Sequence, residues 1–107
     1  MMFVKVYQYH IQADKEKEYL EIQKTAAKIY EKYLDSKFMY IKSNSNPAKW
    51  IEIAWYKDEE SYNHGMELVN EDSEIKYLFQ SFKKLLDPNH PEIEEGDYSL
   101  ILSKNLF

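Results

Sequence analysis

The segment Trp50-Ile51-Glu52-Ile53-Ala54-Trp55-Tyr56 constrains the chain more than any other stretch. Successive residues of a strand face opposite ways. Here Ile51, Ile53 and Trp55 alternate with Trp50, Ala54 and Tyr56, so neither face is polar. Phe3 to Gln12 repeats the pattern, with Phe3, Tyr7, Tyr9 and Ile11 on one side and Val4 and Val6 on the other. A sheet built on these two strands needs cover on both of its faces.

The remaining segments decide what supplies that cover. Phe3 to Gln12 runs into Ala13-Asp14, which reads as a strand leading to a helix cap. From Lys15 onward Tyr19, Ile22, Ala26, Ile29 or Tyr30, and Tyr33 recur every three or four residues, predicting an amphipathic helix that ends near Leu34-Asp35. Phe38 to Lys42 is a short strand and Ser43 to Pro47 a loop. Asp58 caps a helix through about Leu68, Asn70 to Ser73 interrupts it, and Ile75, Leu78, Phe79, Phe82, Leu85 and Leu86 mark another that Pro88 ends. Asp87 to Gly96 is expected as a loop and Tyr98 to Ser103 as the last strand.

This order is the split βαβ plan: an α+β, ferredoxin-like βαββαβ fold with a four-stranded antiparallel sheet ordered 4-1-3-2. The 107 residues suffice for one such domain, 1–107, with one core and no room for a second. Helices cover only one face of the sheet, and a two-fold partner is the commonest cover for the other. A homodimer is therefore expected, and the pattern leaves open which face meets the helices.

Charge and composition narrow the partners. A net charge of −5, with every basic residue a Lys, is unfavourable for nucleic acid and for an anionic membrane surface. The lack of Cys removes disulfides and thiolate ligands, and neither a leader nor a membrane span is legible, so a cytoplasmic protein is expected. With Gly65 and Gly96 the only glycines, a phosphate-cradling loop is close to excluded, and no cofactor is expected.

Three imidazoles, His10, His64 and His90, could act as bases. His10 lies near the end of a central strand beside Gln8, Val6 and Val4, and fits either a catalytic base or a hydrogen-bonded histidine at the edge of the core. Glu60 and His64 share a helix face, but two ligands do not make a metal site and none is assigned. His90, between prolines in an acidic loop, reads as solvated. Lys5 and Glu52 each put a charge into a central strand: on one face they would pair, on opposite faces one of them would line a cavity. Tyr7, Tyr9, Trp55, Tyr56 and Tyr62 either pack or line a pocket for a flat apolar ligand.

The element order, together with Tyr56-Lys57-Asp58-Glu59-Glu60-Ser61-Tyr62 at the step from strand three into a helix, resembles the dimeric α+β barrel superfamily, in particular its antibiotic-biosynthesis-monooxygenase-like group. The resemblance implies a barrel-forming homodimer. It also implies a cofactor-independent monooxygenase acting on a small aromatic or quinone-like compound, with Tyr7, Tyr9, Trp55 and Tyr62 around the substrate and His10 or His64 as base. The alternative is a non-catalytic dimer that binds a small ligand or serves as an accessory module. The haem-degrading branch uses an Asn, a Trp and a His where an ungapped reading places Tyr7, Gly65 and Ile75, so haem degradation is not expected.

Overall fold

The computed structural model describes residues 1–104; the last three residues of the domain expected over 1–107 lie outside them. The order is β1 (Phe3–His10), a 3-10 turn (Ala13–Lys15), α1 (Glu16–Glu31), β2 (Ser36–Lys42), β3 (Lys49–Tyr56), α2 (Glu59–Glu71), α3 (Ser73–Lys83) and β4 (Glu94–Ser99). The strands form one antiparallel sheet ordered β2-β3-β1-β4, the expected ferredoxin-like arrangement.

Local chemistry fixes the element ends. The Asp58 carboxylate accepts the Ser61 N–H at 2.7 Å and starts α2. Asp72 is both the extended residue that stops α2 and the cap of α3, where it accepts the Glu74 N–H at 2.9 Å. The break between these helices is thus one residue wide, narrower than the Asn70 to Ser73 gap. Beyond α3 the chain is tied to the end of β1: Gln12 N–H donates to the Leu85 carbonyl at 2.9 Å, and its side-chain amide reaches the Lys84 and Leu86 carbonyls.

The register settles the faces. Phe3, Lys5, Tyr7 and Tyr9 of β1 stand beside Tyr56, Ala54, Glu52 and Trp50 of β3, and this side meets the helices, as the packing of Tyr9 on Tyr19 and Phe82 shows. Val4, Val6, Gln8 and His10, with Ile51, Ile53 and Trp55, take the other side, which no helix among the described residues covers. The buried residues of the helix-covered side fall into two clusters. One gathers Phe3, Ala26, Ile29, Leu34, Ala54, Tyr56, Val69 and Ile75, and the other Tyr9, Ile11, Tyr19, Trp50, Phe82 and Leu85.

One strand differs from expectation. β4 covers Glu94–Ser99 rather than Tyr98 to Ser103, pairing Phe3 with Ser99 through Gln8 with Glu94. Backbone pairing and the contacts of Glu95 and Asp97 with Lys5 define this edge strand; apolar burial does not. Leu100 adds one further bond to the Met2 carbonyl, while Ile101 and Leu102 are exposed.

Candidate functional site

A cavity of about 480 Å³ lies between the sheet and the helices, with walls drawn from both clusters. Tyr7, Tyr9, Tyr30, Phe38, Tyr56 and Phe82 are among its rings, and the exposed Lys76, Phe79 and Ile93 mark its mouth. Glu52 of β3 and Gln23 of α1 contribute polar groups deeper in the wall. Size and lining match the pattern of small-molecule sites: mostly apolar walls and few, well-placed polar groups.

Glu52 is the chemically distinctive group. Its Oε1 accepts the Tyr9 hydroxyl at 2.9 Å and the Gln23 amide at 3.5 Å. Tyr9 has one hydroxyl proton and commits it to Glu52, so the 2.6 Å contact between Tyr9 and Tyr19 must run with Tyr19 donating. Tyr19 is fully buried, so the chain of hydroxyls ends in the core and orients the carboxylate instead of conducting protons to solvent. Among the described residues no hydrogen bond reaches Oε2. Burial pushes the Glu52 carboxyl up to about 7, and the Tyr9 hydrogen bond only partly offsets it. The same burial raises Tyr7, Tyr9, Tyr19, Tyr40 and Tyr56 above the ordinary phenol range and Tyr30 to about 12. These rings are neutral donors and acceptors at any ordinary pH.

Lys5 shares the helix-facing side with Glu52, yet the two do not pair. Its ammonium lies 2.6 Å from both Glu95 and Asp97 of β4, and over the rings of Tyr7 and Tyr62 at 5.7 and 5.4 Å. Burial works against the charge of Lys5, but the bonds to Asp97 and Glu95 prevail and hold its pKa above the usual lysine value. The pair expected for charges on one face therefore does not form: Lys5 and Glu52 share a face, β4 supplies the partners of Lys5, and Glu52 lines the cavity.

The structure brings Tyr7, Tyr9, Tyr56 and Glu52 together in the cavity wall and leaves Trp55, Tyr62 and the histidines elsewhere. Trp55 falls on the opposite face, because strand alternation that turns Glu52 inward turns Trp55 outward. Tyr62, on α2, packs against Phe3 and Tyr56 without lining the cavity. His64 is exposed on α2. His10 sits on the open face with its ring 4.9 Å from that of His90. Among the described residues no group of three His, Asp or Glu gathers to hold a metal ion, and no helix is long and apolar enough to cross a membrane. Sequence reasoning missed Gln23 and the role of Glu52. The available signals were a glutamate inside a strand apolar on both faces and a glutamine three residues before Ala26 on the buried stripe of a helix.

No protein-family model and no curated protein matches the chain. Solved structures do. A variant of SnoaB, a cofactor-independent oxygenase from Streptomyces nogalater, superposes with a TM-score of 0.75 at 8% identity over 97% of each chain. A candidate antibiotic biosynthesis monooxygenase from Nitrosomonas europaea gives 0.72 at 12% identity, over 94% of this chain and 90% of that one. A NIPSNAP family protein of unknown function from Agrobacterium tumefaciens gives 0.75 at 14%, over 99% and 94%. The chain thus has the fold of the antibiotic-biosynthesis-monooxygenase-like and NIPSNAP structures; at these identities the likeness is one of fold.

Proposed function

We propose that the chain is a cofactor-independent oxygenase for a small aromatic or quinone-like compound, in which Glu52 removes an O–H or N–H proton from the substrate in the cavity. The observation that carries this reading is the Glu52 carboxyl, poised near neutrality among neutral rings with Oε2 turned to no protein donor. A carboxyl in this state takes up a proton and returns it at the same pH, as a general base must. Tyr9 and Gln23 hold it in place, and Tyr7 and Tyr9 contact the substrate. Glu52 takes the role for which the sequence offered His10 or His64, since neither imidazole lines the cavity. The shared fold with SnoaB suggests dioxygen as co-substrate. We place a second copy of the chain on the open face of the sheet, where Met39, Ile41 and Tyr98 are 44%, 42% and 58% exposed.

Oxygen uptake with a panel of small phenols, quinols and aromatic amines tests the reading. Turnover should rise through about pH 7, and Glu52→Gln should lower it by about 100-fold or more without abolishing binding. A wild-type chain that binds members of the panel but consumes no oxygen with any of them would be a ligand-binding module instead.

A further inference from the structure

We propose that the compound taken by the cavity is a cation: a small aromatic molecule carrying a protonated amine, paired with the Glu52 carboxylate and seated among the rings. The inference rests on reading the cavity as a ligand site and adds the chemical class of the ligand.

The charges around the cavity are already allotted in a way that leaves one carboxylate over. Lys5 is the buried cation of the neighbourhood, and both of its contacts at 2.6 Å go to Glu95 and Asp97. Glu52 receives only neutral donors, the Tyr9 hydroxyl and the Gln23 amide, both at Oε1. A buried carboxylate without a cationic partner is costly, and a ligand that brings the missing charge relieves that cost. The aromatic wall suits the same ligand, because the face of a ring attracts a cation. This wall already accommodates one ammonium, as Lys5 lies 5.7 Å from the centre of the Tyr7 ring. Glu95, itself part of the lining, already has its cation in Lys5. Lys76 and Glu95, the other charged lining residues, are both exposed and so screened alike by solvent, which leaves the buried Glu52 as the charge that decides. An anionic ligand would be repelled by the Glu52 carboxylate, and a neutral phenol would use Oε2 merely as an acceptor.

Glu52 is faced by Tyr7 and Tyr9 from β1, by Tyr19, Gln23 and Tyr30 from α1, and by Tyr40 from β2. All five tyrosines stay neutral because burial raises them, and α2 and α3 add Val69 and Phe82 without charge. The charge at the bottom of the site is therefore set by Glu52, with Lys5, Glu95 and Lys76 as the charged groups beyond it.

Calorimetric titration of the full chain with phenethylamine, 2-phenylethanol and phenylacetate tests the assignment, since the three share a ring and similar reach and differ in charge. At about pH 8 the amine should bind about tenfold or more tighter than the alcohol, with the acid weakest. Between about pH 8 and pH 6 the affinity for the amine should fall as Glu52 protonates, while that for the alcohol stays level. Glu52→Gln should bring amine and alcohol within about threefold of each other. Should that variant not fold, the pH arm on the wild-type chain decides alone. Alcohol or acid binding as tightly as the amine overturns the cation assignment and leaves the pocket standing. Binding of none of the three overturns both.

Discussion

At the scale of single residues, the cavity carboxylate should leave a mark on stability. A glutamate whose pKa rises from 4.5 to about 7 on folding holds its proton more tightly in the folded state than in the unfolded one. Its contribution is neutral below about pH 4, grows unfavourable as pH rises from about 4.5 to 7, and is fully unfavourable above that. Glu52→Gln keeps an oxygen for Tyr9 and removes the ionisation. It should therefore stabilise the chain by about 1–2 kcal/mol at pH 8 and by nothing at pH 4, a difference that chemical denaturation at the two pH values would read. A stabilised but inactive variant is the signature of a group kept for chemistry rather than for folding. The sequence exposed the anomaly of a charge inside an apolar strand. It did not reveal Oε1 bound and Oε2 free, because that depends on Gln23 turning inward where the periodicity pointed to Ile22.

At the scale of elements, the contact of α2 with the turn after α1 is a close fit. A β-carbon built on Gly65 would run into the Leu34 side chain and lie 2.9 Å from the Tyr33 carbonyl oxygen. A leucine tip can rotate, but a backbone oxygen can move only with the chain. Alanine at an exposed helical site would gain about 1 kcal/mol over glycine. At Gly65 the overpacking of about 1–3 kcal/mol should dominate. Gly65→Ala is thus expected to lower the melting temperature, whereas Glu67→Ala on the exposed side of the same helix should leave it nearly unchanged. The same geometry gives a structural reason why a tryptophan, as the haem-degrading pattern would need here, has no room. Helices and central strands were legible because their burial is periodic: Tyr19, Ala26 and Ile29 repeat on α1, and every residue from Trp50 to Tyr56 is at least half-buried. β4 was misplaced because its six residues are almost all exposed, so the apolar rhythm of Tyr98 to Leu102 was louder than the true strand.

At the scale of the whole molecule, the sheet divides the labour: one face builds the cavity with the helices, and the other is where we propose that a second copy packs. Ile53 sits on the open face between Val6 and Met39, and in the proposed dimer a charge there would be buried without a counter-ion. Light scattering on a sizing column should give about twice the 12.9 kDa of one chain for the wild type. Ile53→Glu should weaken association by about 100-fold or more while leaving the circular dichroism spectrum of the fold intact. Strand alternation made the two apolar faces visible in the sequence, but only the register with Tyr9, Tyr19 and Phe82 shows which one the helices take. The acidic rim of that sheet has a consequence of its own. β4 is an edge, and an edge strand invites another chain to extend the sheet side by side into a filament. Glu94, Glu95 and Asp97 line this edge, and Lys5 neutralises the last two only from its own side of the sheet. A second β4 approaching edge to edge would meet the same row of carboxylates, so growth in that direction is self-limiting while face-to-face pairing stays open.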